Sequence, residues 1–173
     1  YQRLLDLDGI QMGKTIRVPA KNSNKYDLTK LLEEHNFEFP VLIRETGTHT
    51  GRTFIKCDSL EEFVAAAEEL AGAEVYLIQF IENLFRQKYH RKMRFFGIDG
   101  KLYPVVLHID ATWNVHGSNR KTLMAKHDWM MAEEKSYMAD PRAYLGAEIY
   151  ERLEKLPDLV GLDFFGFDFN VTE

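Results

Sequence analysis

Gly47-Thr48-His49-Thr50-Gly51 is a run of small and hydroxylated residues with little bulk to keep a ligand from the backbone. Strand-like segments flank it, Val41-Leu42-Ile43-Arg44 before and Thr53-Phe54-Ile55-Lys56-Cys57 after, so the run is expected at a hairpin tip. A Walker A loop is excluded, because that loop needs a following helix and a Lys-Ser/Thr pair. Backbone N–H groups and hydroxyls at such a tip, Thr46 included, can fold over phosphate oxygens as a flap. Arg44, at the end of the incoming strand, adds a fixed cation that can bond phosphate bidentately. Far along the chain, Asp168 stands between Phe167 and Phe169 on an apolar strand pattern, where a carboxylate needs a cation or hydrogen-bond donors.

One dense basic run lies between these features, Arg86-Gln87-Lys88-Tyr89-His90-Arg91-Lys92-Met93-Arg94. Arg94 and Lys92 are expected to face a ligand, with the remaining charges solvated. Two other readings compete: a wholly solvated loop and strand start, and RNA contact with Tyr89 stacking on a base. His108, His116 and His127 lack the paired spacing of a zinc site and are expected to be surface or hydrogen-bonded histidines. Cys57 ends a strand and reads as a small buried hydrophobe rather than a nucleophile.

The elements that must position these residues follow from periodicity and turn chemistry. Residues 13–18 read as a short strand ended by Pro19. Asp27 can cap a helix through Leu28, Leu31 and Leu32. Ser59-Leu60-Glu61-Glu62 is a capping box for a helix with Phe63, Ala66, Ala67 and Leu70 on one face, and Gly72 marks its stop. Residues 75–81 form an apolar strand. Asp99-Gly100 between residues 93–98 and 101–107 is the strongest short hairpin signal. Asp128 is expected to cap a helix to Met138. Asp140 with Pro141 starts another whose Leu145, Ile149 and Leu153 lie on one stripe, with Pro157 as its end. Residues 161–169 are the last strand region, and the loop from Thr112 to Lys121 is the least structured interior segment. The chain opens in what reads as a helix tail and stops directly after a strand whose partner would follow, so a fragment of a larger protein is expected.

Composition bounds the classes. The chain has 173 residues, 45% hydrophobic and 28% charged, enough for a core and for solubility. Its 22 Lys and Arg against 27 Asp and Glu give a formal net charge of -5, a poor match to bulk nucleic-acid binding, which depends on neutralising phosphates. One cysteine excludes an internal disulfide framework. No apolar run reaches the ~20 residues of a membrane helix, no signal-peptide segment opens the chain, and a cytoplasmic address is expected.

The serial order of these motifs resembles the ATP-grasp superfamily over most of the chain, from about Arg17 onward. The resemblance implies an α+β fold in which two lobes hold ATP in a cleft. Residues 1–40 would lead into the domain, 41–84 would be the smaller lobe with the glycine-rich hairpin, and 85–173 the larger lobe. An N-terminal domain and a C-terminal strand would be missing. It further implies that Phe39-Pro40-Val41-Leu42-Ile43-Arg44 is the strand whose terminal cation binds nucleotide phosphate, and that 47–51 is the flexible loop. Leu77-Ile78-Gln79-Phe80-Ile81-Glu82 would read adenine and ribose, giving Gln79, Phe80, Ile81 and Glu82 nucleotide roles. Arg94 and Lys92 would face phosphate or substrate, Asp168 would ligate magnesium, and His116, Asn119 and Arg120 would line the acceptor site. The chain departs from the family pattern in Arg44, where a lysine is usual, in a loop with fewer glycines, and in lacking the Glu-x-Asn metal pair. A rival register would use Asp168-Phe169-Asn170 as that pair, with Asp163 as the earlier ligand. The five residues from Asp163 to Asp168 leave no room for a turn and a returning strand.

The activity so implied is a Mg-ATP-dependent ligase. A substrate carboxylate attacks the γ-phosphate, and an amine or thiol captures the acyl phosphate. Such chemistry calls for charge screening rather than a nucleophilic residue, and no nucleophile stands out. The alternatives are an ATP-grasp kinase acting on a hydroxyl and a nucleotide-binding or interaction module without catalysis. The expected partners are ATP, a small carboxylate, an amine or thiol, and other domains of the same chain, with no membrane.

Overall fold

The computed structural model describes residues 8–19, 25–48 and 53–172, with the backbone alone for Lys25 and Tyr26. The chain divides into two compact units, one over 12–82 and the other over 83–172 together with 8–11. Each combines helices with strands, and every strand pair is antiparallel.

The first unit contains β1 (Thr15–Pro19), α1 (Lys25–Glu34), β2 (Val41–Glu45), β3 (Phe54–Cys57), α2 (Leu60–Glu69) and β4 (Glu74–Gln79). Its four strands run in the order β1-β4-β2-β3. Strand alternation buries Val41, Ile43, Cys57, Val75 and Leu77 in one core with Leu28 and Leu32 of α1 and Phe63, Ala66 and Ala67 of α2. Arg44 pairs with Phe54 on one side and Tyr76 on the other. The helix cap forms, with its return bond one residue earlier than in a strict capping box: the Ser59 hydroxyl accepts from Glu62 N at 3.3 Å, and the Glu62 carboxylate accepts from Asp58 N at 2.7 Å. α1 begins at Lys25, so Asp27 sits inside its first turn, still favourably placed against the positive end of the helix dipole. The Lys14 ammonium closes the far end of α1 by donating to the carbonyls of His35 and Asn36, each at 2.7 Å. Cys57 is fully buried, and burial, with Glu62 and Asp58 adding to it, pushes its thiol up to about 11. It is therefore no nucleophile at neutral pH.

The second unit contains β5 (His90–Ile98), β6 (Lys101–Asp110), α3 (Asn119–Thr122), a 3₁₀ turn (Met124–Lys126), α4 (Asp128–Ala139), α5 (Pro141–Leu145), α6 (Ala147–Leu153), α7 (Leu156–Val160) and β7 (Phe164–Phe169). β5 is central, with β6 and β7 on either side. The Asp99-Gly100 turn has φ of 48° and 74°, the left-handed pair that closes a two-residue hairpin. The register shifts between Arg94 and Phe95: Phe95 pairs with Pro104, whereas Arg94 pairs with Val106, leaving Val105 as a bulge. Met93, Phe95, Leu107 and Ile109 are fully buried with Met130 and Tyr137 of α4. The Tyr137 hydroxyl donates to Arg94 O at 2.8 Å.

Two helix expectations are corrected. α4 takes His127 as its N-cap residue and includes Asp128 in its first turn. The single helix expected after Asp140 is broken. Asp140 does cap α5, accepting from Ala143 N at 2.9 Å, but Gly146 at φ +84° ends α5, and Pro157 lies inside α7 rather than at a stop. Proline is tolerated there because the first helical turn needs no N–H from it. Residues 119–122 form a short helix within the loop expected to be least structured.

Gly97 is buried on β5 with the Phe165 ring laid over it, and an added Cβ would meet ring carbon Cε1 at 2.2 Å. Gly97→Ala should therefore destabilise the protein by about 1–3 kcal/mol in urea denaturation. A variant as stable as the parent would contradict this packing.

Candidate functional site

In the first unit, the end of β2 turns through Thr46 and Gly47. Thr46 N donates to Glu74 O at 2.8 Å, and Gly47 takes φ +75°, where only glycine is unstrained. The Thr48 hydroxyl donates to Glu45 O at 2.8 Å and meets the Thr53 hydroxyl at 3.2 Å. Arg44 reaches across this turn: its Nη2 donates to Thr48 O, and its guanidinium lies 5.8 Å from the Phe54 ring centre. Its Nε is buried without a partner among the described residues. His49, Thr50 and Gly51, expected at the same tip, lie outside the described residues.

The segment expected to read a nucleotide base leaves β4 at Gln79. The Gln79 side chain is taken up locally. Its Nε2 donates to Glu38 O at 2.7 Å and Pro40 O at 3.1 Å, and its Oε1 accepts from Glu38 N at 3.0 Å. Phe80 N donates to Pro40 O at 3.3 Å. Phe80 to Glu82 follow as irregular backbone. Lys56, not singled out from the sequence, pairs with Asp58 and lies 4.9 Å from the Phe80 ring centre.

In the second unit the structure brings Lys92, Arg94 and Asp168 together. The alternation that buries Met93 and Phe95 turns Lys92 and Arg94 to the opposite face, and the β5–β7 register sets Arg94 directly across from Asp168. Arg94 grips the carboxylate with both arms of its fork, Nε to Oδ1 at 2.5 Å and Nη2 to Oδ2 at 3.0 Å. Lys92 Nζ lies 3.4 Å from Oδ2. Burial works to raise the Asp168 carboxyl, but the Arg94 hydrogen bond and the charges of Lys92 and Arg94 outweigh it and hold the group below its ordinary value. The Asp168 hydrogen bond in turn raises Arg94, against a smaller opposing effect of burial. The cation that Asp168 needs on its apolar strand is thus supplied within the chain.

Of the acceptor-loop candidates, His116 Nδ1 lies 3.2 Å from the Ser118 hydroxyl, and Asn119 begins α3. Arg120 donates through Nε to both carboxylate oxygens of Glu134, at 3.0 and 2.9 Å. Glu134 itself is buried. His108, set aside in the sequence as a surface or hydrogen-bonded residue, pairs across the hairpin with Lys92. Its Nδ1 is buried and has no hydrogen-bond partner among the described residues. The signal for it was a register that the bulge had shifted by one residue.

Magnesium binds carboxylate and phosphate oxygens and keeps water ligands. Among the described residues no three His, Cys, Asp or Glu side chains gather as a metal cluster. Asp168, one-third exposed at its side chain, offers one carboxylate of the right donor type. That fits a single magnesium ligand if the Arg94 grip loosens. Asn170 is engaged elsewhere, its Oδ1 accepting from Arg91 Nε at 3.1 Å and Val171 N at 2.9 Å.

No protein-family model matches the chain, and no curated protein matches it. Among solved structures it is similar to the ATP-grasp ligase PsnB complexed with a precursor peptide and AMPPNP, at 13% identity over 99% of this chain and 42% of that one, with a TM-score of 0.52. It is also similar to the VanG D-Ala:D-Ser ligase of Enterococcus faecalis, at 19% identity over 98% and 46% of the two chains, with a TM-score of 0.52. A third is the D-alanine-D-alanine ligase of Coxiella burnetii, at 11% identity over 99% and 42%, with a TM-score of 0.50. The chain spans less than half the length of each. Its α+β fold is that of the ATP-grasp superfamily. No described helix is long and apolar enough to cross a membrane.

Because the folded Asp168 carboxyl is depressed, its contribution to stability is present above the ordinary value of 3.8 and is lost as pH falls through the folded value. Asp168→Asn should cost up to about 1 kcal/mol at neutral pH, given that the pair is partly exposed. Chemical denaturation across a pH series should show this difference closing below pH 3.8. A constant difference down to the acid limit would show that the charge pair is not its source.

Proposed function

We propose that the chain is the Mg-ATP-binding part of an ATP-dependent carboxylate–amine or carboxylate–thiol ligase. The observation that carries this reading is the strip of Lys92, Arg94 and Asp168 on the exposed face of a three-stranded sheet within an ATP-grasp fold. In this reading residues 41–84 cover the nucleotide and residues 85–173 form the larger lobe. The 46–51 tip and Arg44 contact phosphate, and Gln79 to Glu82 contact base and ribose, chiefly through backbone since the Gln79 amide is already bonded. Arg94 and Lys92 orient the phosphate that is transferred, and Asp168 holds magnesium. When bound, magnesium would screen the triphosphate charge.

The reaction balances simply. A carboxylate oxygen of the substrate bonds to the γ-phosphorus as ADP leaves. The amine or thiol then bonds to the acyl carbon, phosphate departs, and the attacking group sheds its proton. A glycine flap would keep water from the acyl phosphate. Other domains of the same chain are expected to bind the carboxylate and acceptor, and the cytoplasm, with its ATP supply, suits the activity.

One observation favours a second reading, a nucleotide-binding module without turnover. Arg44 and Arg94, both expected to face phosphate, are each engaged by groups of the chain itself.

Mg-ATP at about 100 times its Kd should raise the Tm of the full protein by roughly 5 °C, and Asp168→Asn should remove the magnesium-dependent part. ADP and phosphate release that requires both a carboxylic acid and an amine or thiol supports the ligase. A shift without turnover supports the module, and no shift in the parent protein defeats both.

A further inference from the structure

Arg91, expected among the solvated charges of the basic run, is drawn inward. Strand alternation sets it on the same side of β5 as Met93 and Phe95, and it is half-buried there. Its three nitrogens donate to three different acceptors: Nε to Asn170 Oδ1 at 3.1 Å, Nη1 to the Tyr144 hydroxyl at 3.0 Å and Nη2 to Val171 O at 3.3 Å. The guanidinium also lies 4.1 Å from the Phe85 ring centre. Asn170 turns back on the backbone, its Oδ1 accepting from Val171 N at 2.9 Å. The Tyr144 hydroxyl donates in turn to Glu133 at 2.6 Å, and it keeps its proton because burial and the Glu133 bond push its pKa up to about 12. One side chain thus ties the stretch after β7 to α5 and, through Tyr144, to α4.

The place where this brace acts gives it consequence. The β5–β7 ladder ends with Met93 opposite Phe169, so Asp168 sits one residue from its end. Strand ends are where backbone pairing opens most readily. Two arginines of β5 restrain that end. Arg94 grips Asp168 itself. Arg91 grips the two residues beyond the ladder, Asn170 and Val171. The Arg94 fork and a metal compete for the same two carboxylate oxygens. The Arg91 grip touches neither oxygen, so it survives that competition.

We propose that Arg91 is a positioning residue for Asp168: it holds the end of β7 in place while the carboxylate exchanges the Arg94 fork for magnesium. The metal role of Asp168 rests on the ligase reading, whereas the bracing of residues 169–171 does not. Arg91 acts through the backbone that carries the carboxylate, and its own donors are spent within the chain. A strand end that is already fixed has little conformational freedom left to lose on ligation, which lowers the cost of binding. Geometry rather than charge is what the brace requires. A lysine ammonium carries the same charge but cannot present three nitrogens in one plane to three acceptors.

Calorimetry of ATP binding to the full protein, in magnesium and in EDTA, tests this. The ratio of the two affinities is the gain that magnesium brings. Arg91→Lys and Arg91→Met should each reduce that gain about tenfold, the usual size of effect for a group that orients a metal ligand. In an Asp168→Asn background the same substitutions should reduce the gain no further, an interaction that a merely stabilising residue would not show. Hydrogen exchange reads the brace with no ligand present: the amides of residues 169–171 should exchange about tenfold faster in Arg91→Lys than in the parent, with those of 95–98 unchanged. If Arg91→Met does not fold, Arg91→Lys and the exchange measurement decide. A full gain in the Arg91 variants, or recovery of the parent's gain by lysine, or unchanged exchange at 169–171, overturns the proposal. If the parent itself shows no gain while exchange responds as expected, the metal half of the proposal falls with the ligase reading and the brace stands.

Discussion

β5 has two faces, and burying one of them dictates the other. Met93 and Phe95 must enter the core beneath α4, because that is where Tyr137 and Met130 supply apolar contact. Lys92 and Arg94 are then forced outward together, on the side where β7 presents Asp168. The charged strip is a by-product of core packing, which makes it rigid. Tyr137 reinforces this by bonding the backbone of Arg94 itself, so the residue that carries the guanidinium is tied to the core at its own carbonyl.

The same economy explains why the chain's cations are compensated before any ligand arrives. Arg44 binds the turn it was expected to leave open, Arg94 binds the acid it was expected to leave to a metal, and Arg120 binds Glu134. A buried or half-buried charge without a partner is costly, so the free protein supplies stand-ins. An incoming phosphate would exchange one charge-assisted bond for another. Its affinity then depends on the difference between the two, and discrimination between ligands is set by how well each reproduces the geometry of the internal partner.

Much of the fold could be read from local chemistry. Ser59 and Glu62 announce a helix start, Asp99-Gly100 a hairpin, and the alternation in residues 164–169 a strand with one apolar side. These are short-range signals, decided by a few neighbouring residues. Long-range or marginal effects were hidden. Nothing in the stripe of Leu145, Ile149 and Leu153 shows that Gly146 will take a left-handed conformation and split the helix. The pairing of Arg120 with a glutamate fourteen residues on was equally invisible, as was the engagement of Arg44 by a carbonyl within its own turn. Periodicity gave the side of Arg94 and Asp168 but not that they would bond each other. The cation demanded by Asp168 was foreseen, its identity was not.

The bulge at Val105 settles which residues of the hairpin are wet. In the segment next to the turn, partners follow the pairing of Ile98 with Lys101. Beyond Val105 they are offset by one, which puts His108 rather than Leu107 opposite Lys92. Removing that single residue would leave Val106 opposite Arg94, Leu107 opposite Met93 and His108 opposite Lys92, so each side chain would keep its face and the ladder would run without a break. The extra residue thus keeps both arms of the hairpin in phase with β5 while adding a local bend and twist.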